Sequence, residues 1–142
     1  MQARDRAWWW LAAGFALLVL AHARYGVGAL AWIAPVPWLA SLRARTGWRF
    51  RAAFAAVLAA AWTVAILKIV TVPVSPVFAV AFGVPIALVH LSAYAVWDLL
   101  VARGHDGRAI VAFAAVTALA EWMQAELTPA GVWGSTAARQ GG

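Results

Sequence analysis

Cysteine is missing from all 142 residues. That excludes disulfides, Cys-ligated zinc, thiolate nucleophiles and Cys lipidation. Charge is scarce as well. Asp, Glu, Lys and Arg make up 11% of the chain, Asp and Glu together number 5, and Lys68 is the only lysine; a soluble domain carries about 25% charged residues. Several catalytic signatures are also missing. There is no Gly-x-Ser-x-Gly elbow, no His-Glu-x-x-His zinc pair and no phosphate-cradling glycine loop. No carboxylate follows His22, His90 or His105 at the spacing of an acyltransferase His-Asp pair. No cofactor or metal is therefore expected. What is present is apolar: 65% hydrophobic residues and a mean hydropathy of +0.82. These figures exclude a soluble globular domain and a disordered chain. They also exclude a nucleic-acid binder despite the net charge of +6, because the basic residues cluster between apolar runs and form no stripe.

A membrane-crossing helix takes about 20 apolar residues, so the length accommodates about five. Apolar segments fall at 7–23, 25–42, 52–70, 77–100 and 109–127, within one polytopic domain covering 1–142. All are expected to be helical, because a helix satisfies its own backbone in lipid, and the alternation of a membrane β-strand is missing. The fold class is thus an all-α membrane protein, a bundle of about five transmembrane helices. Loop charge orients it. With the N-terminus in the cytoplasm, Arg4, Arg6, Arg43, Arg45, Arg49, Arg51, Arg103 and Arg108 lie inside, and only Arg24 and Arg139 lie outside. The stretch 128–142 is then extracytoplasmic. The basic start followed by an apolar core and Ala21-His22-Ala23 also has the form of a cleavable signal peptide. The high count of tryptophans, 10 in all, fits membrane–water interfaces, and alanine runs such as 52–56 and 59–61 fit close helix packing.

Charges inside a membrane are costly, so each is a candidate for function. Lys68, at the outer end of its segment, reads as a snorkelling side chain. His90, in mid-helix, reads as a helix–helix hydrogen-bond partner. Asp98 reads as half of an interfacial ion pair with Arg103 one turn on, and His105-Asp106, between Gly104 and Gly107, as a turn. Glu126 is close enough to the outer edge to be solvated. Glu121 stands deeper in the last segment, with Trp122 beside it and Gln124 one turn on, and it is open to either packing or function.

The run Glu121-Trp122-Met123-Gln124 through Pro129, Gly131 and Trp133, ending near Gln140, resembles the bacterial apolipoprotein N-acyltransferase family. There a fifth membrane helix carries a Glu, a Gly-x-Pro-Trp turn follows, and a Gln comes after it. The Glu121-to-Trp133 and Trp133-to-Gln140 spacings match that arrangement. The Pro35- and Pro37-bearing segment that runs into Arg43 resembles the family's second helix. Met123-Gln124 stands where the family has Leu-Arg, Val132 stands where it has Pro before the Trp, and Lys68-Ile69 replaces its polar-Trp pair.

The resemblance implies the membrane portion of an enzyme of lipoprotein maturation in the bacterial cytoplasmic (inner) membrane. In that family an extracytoplasmic nitrilase-like domain with a Glu-Lys-Cys triad takes an acyl chain from a phospholipid as a thioester. It then passes the chain to the N-terminal diacylglyceryl-cysteine of lipoproteins. Such a relay needs an activated nucleophile, and this chain has no cysteine. The expectation is a fragment that is inactive alone. Its partners would be membrane phospholipid and, through the missing domain, lipoprotein substrates. Glu121 and Trp122 on the helix, and Trp133 and Gln140 beyond it, would be structural or lipid-facing and not catalytic. The alternatives are a non-enzymatic polytopic scaffold or assembly partner and, less favoured, a small transporter, for which only His90 sits near the midplane.

Overall fold

A computed structural model describes residues 3–22, 27–68 and 75–127. The described residues are predominantly helical and contain no strand. In chain order the helices are α1 (Ala3–Ala21), α2 (Leu30–Ile33), α3 (Pro35–Ala44), α4 (Trp48–Leu67), α5 (Val77–Ala102) and α6 (Asp106–Leu127). Three of them, α4, α5 and α6, are long and apolar enough to cross a membrane, which suggests a membrane protein. α1 carries Arg4, Asp5 and Arg6 in its first turn, leaving Ala7–Ala21 as its apolar part.

The segment expected at 25–42 departs most from a single straight span. Pro35 has no N–H to donate to the Ala31 carbonyl, and the helix breaks at Ala34 into α2 and α3. Pro85, by contrast, stays inside α5, on an exposed face. The difference follows from context. A second proline, Pro37, removes another donor two residues on in α3, whereas the Pro85 turn is flanked by unbroken helix on both sides.

α5 closes with Gly104 at φ 76. His105 N–H donates to Leu100 O at 3.0 Å and Gly104 N–H to Val101 O at 2.9 Å, the two bonds of a Schellman end. α6 then starts at Asp106, whose charge suits a helix N-terminus. Asp106 therefore opens the last helix instead of lying in a longer loop.

α4 packs on α5, α5 on α6, and α1 on both α3 and α4. Trp38, Phe54 and Leu58 are the largest fully buried side chains. Trp38 lies edge-on to Phe54 at 5.2 Å, and Phe54 edge-on to Tyr94 at 5.2 Å, so one aromatic chain ties α3, α4 and α5 together. At Gly83 the backbones of α4 and α5 come close together. A Cβ on Gly83 would stand 2.7 Å from both the N and the Cα of Thr63. Ala79 and Ala87, one turn to either side of Gly83, are also buried, so a stripe of small residues lets the backbones meet. The tight contact thus comes from α5, while Ala52 and Ala56 in the alanine-rich start of α4 are exposed.

Candidate functional site

The two ends of the bundle differ in chemistry. At one end lie the start of α1, the end of α3, the start of α4, the end of α5 and the start of α6. Here Arg51 pairs with Asp98 at 2.7 Å and Arg43 with Asp106 at 2.7 Å. Asp98 is therefore an ion-pair partner as anticipated, but its partner is Arg51 of the neighbouring helix and not Arg103. The guanidinium of Arg45 sits 5.3 Å from the Trp8 ring and 5.4 Å from the Phe50 ring. These are cation–π contacts that hold a charge against apolar surface. Trp9, Trp10 and Trp48 are exposed at this end, and Trp32 and Trp122 at the other, the arrangement of two interfacial aromatic belts. Trp38, Trp62 and Trp97 are buried inside the bundle, so tryptophan here is not confined to the interface.

The opposite end holds a polar layer. Lys68 follows the last turn of α4. Its Nζ donates to Val19 O at 2.6 Å and to His22 O at 2.8 Å. The ammonium thus caps the C-terminus of α1, where carbonyls lack intrahelical donors and the dipole favours a cation. The side chain reaches a neighbouring helix instead of snorkelling to water.

His22, Trp62 and His90 form a row. Trp62 stacks on His90 at 4.9 Å and an interplanar angle of 15°, and His22 meets the indole edge-on at 4.8 Å. His22 Nδ1 donates to Leu18 O at 3.1 Å. The expected role of His90 as an interhelical hydrogen-bond partner is replaced by stacking, since its Nε2 is buried with no hydrogen-bond partner. Glu121 from α6 acts electrostatically on His90, as does His22.

Glu121 and Trp122, adjacent in sequence, separate in space. Glu121 is half-buried, Gln124 one turn on is buried, and Trp122 is 60% exposed. Glu126 is exposed as anticipated. Trp133 and Gln140 lie outside the described residues. The row around Trp62 and the capping by Lys68 have no signature in spacing along the chain, because their members come from different helices. Among the described residues no cluster of three or more His, Asp or Glu could hold a metal.

Among the described residues, two concavities border the aromatic core. A groove of about 460 Å³ runs between α3, α4 and α5 and is lined by Leu42, Phe54, Leu91, Tyr94 and Leu99, with Arg51 and Asp98 toward the charged end. Its size falls in the usual range of ligand sites, about 300–1,000 Å³. A smaller cavity of about 40 Å³ lies beside Trp62 and His90. No family model, curated protein or solved structure matches the chain.

Proposed function

We propose that this chain is the membrane portion of an apolipoprotein N-acyltransferase: a helical platform that holds a catalytic domain at the membrane surface and admits phospholipid tails from the side. In this reading it is a multi-pass protein of the bacterial cytoplasmic membrane with about five spans. Its N-terminus is cytoplasmic and residues 128–142 are extracytoplasmic. The observation that carries the reading is Glu121, the residue on which the family resemblance rests. It is half-buried near the end of α6, at the end of the bundle opposite the arginines, and Trp122 beside it is exposed. That placement suits a side chain that anchors the outer end of α6 and the turn after it. The gathering of Arg43, Arg45 and Arg51 at the other end agrees with the positive-inside orientation. The lateral groove suits an acyl chain.

A covalent acyl relay needs a nucleophile, and the chain has no thiol to supply one. Supplied alone to cells depleted of the transferase, it should restore no N-acylation of lipoproteins, read by mass spectrometry of their N-termini. Supplied together with a nitrilase-like Glu-Lys-Cys domain, it should restore acylation that the domain alone does not. Failure of the pair overturns the proposal, and acylation by the chain alone overturns its inactivity. The absence of cysteine also favours a second reading, a non-enzymatic membrane scaffold, which failure of the pair would leave standing.

A further inference from the structure

The small cavity lies where the α2–α3 helix is broken. Ala31, Ala34 and Pro35 form one wall, and Trp62, His90 and Thr117 contribute from α4, α5 and α6. Pro35 cannot donate to the Ala31 carbonyl. Ala34 keeps helical angles, φ -54 and ψ -37, and its N–H donates to Leu30 O at 2.8 Å, so what Pro35 removes is a hydrogen bond and not the helical backbone. Trp38 also lines this space. Four of the lining side chains have a buried polar atom without a protein hydrogen-bond partner: Nε1 of Trp38 and of Trp62, Nε2 of His90 and Oγ1 of Thr117. Such atoms are costly to bury unpaired, and the cost rises in an apolar surrounding.

The chemistry of the wall selects its occupant. Indole nitrogens only donate and a carbonyl only accepts, whereas a hydroxyl and a neutral imidazole can do either. An apolar molecule would leave every one of these atoms unpaired. An anion would meet the Ala31 carbonyl and the field of Glu121, which already acts on His90. Water both donates and accepts. The volume of about 40 Å³ accommodates about three waters at 10–15 Å³ each.

We propose that this pocket is a water-binding site in which a cluster of about three ordered waters links the Ala31 carbonyl, which Pro35 leaves without its helical donor, to Trp62, His90 and Thr117. The waters supply the donor that Pro35 withholds, so the break is held as a fixed structural feature. They also carry a polar environment to His90 in the middle of α5. The inference does not depend on the acyl-transfer reading.

The test uses the full chain, labelled with ¹⁵N at tryptophan indoles, in lipid nanodiscs. The indole N–H of Trp62 should show a cross-relaxation peak with water, and xenon should leave the methyl resonances of Leu18 and Leu58 on the cavity wall unmoved. Thr117→Val removes one anchor with little change of shape, and it should weaken the Trp62 water peak at least two-fold. A Trp62 indole without a water peak overturns the proposal, and so does xenon entering the wild-type cavity, because dry apolar cavities take up xenon. The wild-type measurement alone decides the matter if Thr117→Val fails to fold.

Discussion

Gly83→Ala is the sharpest probe of the bundle. The new Cβ would stand 2.7 Å from the N and Cα of Thr63, where ordinary carbon contacts lie at about 3.5–4.0 Å. The obstacle is backbone and cannot rotate away, so α4 and α5 must move apart by about 0.8 Å or more to reach ordinary contact. A gap of that size forfeits a quarter to a half of each dispersion well along the interface. Overpacking of a tight core costs about 1–3 kcal/mol, and a clash with backbone belongs at the upper end. Alanine recovers up to about 1 kcal/mol of helix propensity. The net is a loss of about 2 kcal/mol, or roughly a thirty-fold fall in the folded-to-unfolded ratio. The assay is unfolding by sodium dodecyl sulfate from detergent micelles, followed by the fluorescence of the interior Trp38, Trp62 and Trp97. Gly107→Ala is the control. A Cβ there meets nothing within 4 Å, so that variant should be neutral or stabilised by at most about 1 kcal/mol. A Gly83→Ala protein as stable as the parent would refute the reasoning that α4 and α5 meet backbone to backbone at this point.

Lys68→Met keeps the volume but removes both bonds to the end of α1; charged hydrogen bonds contribute about 1.5–3 kcal/mol, so the unfolding midpoint should fall by the equivalent of about 2 kcal/mol. A double-mutant cycle with Arg51→Gln and Asp98→Asn should give a coupling of about 0.5–1 kcal/mol that shrinks in high salt. The same cycle at Arg43 and Asp106 should give less, because those side chains are 61% and 50% exposed against 48% and 17% for Arg51 and Asp98. Gly104→Ala forces a Cβ into φ 76 and should cost about 1 kcal/mol, with faster amide exchange at His105, whose N–H closes the end of α5. Trp38→Ala should be the most damaging core truncation, at about 3–5 kcal/mol, since Trp38 is fully buried and packs its ring flat against Gly14.

The helices were legible in the sequence because a long apolar run with few charges leaves the backbone one way to satisfy itself in lipid. The segments expected at 52–70, 77–100 and 109–127 became α4, α5 and α6, with ends displaced by a few residues at Gly47 and at the Gly104 turn. The segment 25–42 was expected as one span, and the donor that Pro35 lacks divides it at Ala34.

Partners were the part that could not be read. Asp98 had Arg103 one turn ahead at the end of its own helix and took Arg51 from α4 instead. Lys68 had an interface to reach and bonded to the end of α1. Glu121 and Trp122 were adjacent letters and face different surroundings. Local pattern, apolar run length and loop charge act along the chain, and they determined by themselves that this protein is helical and built for a membrane. Long-range pairing depends on which faces the helices turn to one another. Only the tertiary packing, set by the small-residue contact at Gly83 and the aromatic chain through Trp38, decided that His22, Trp62, His90 and Thr117 would meet around one cavity.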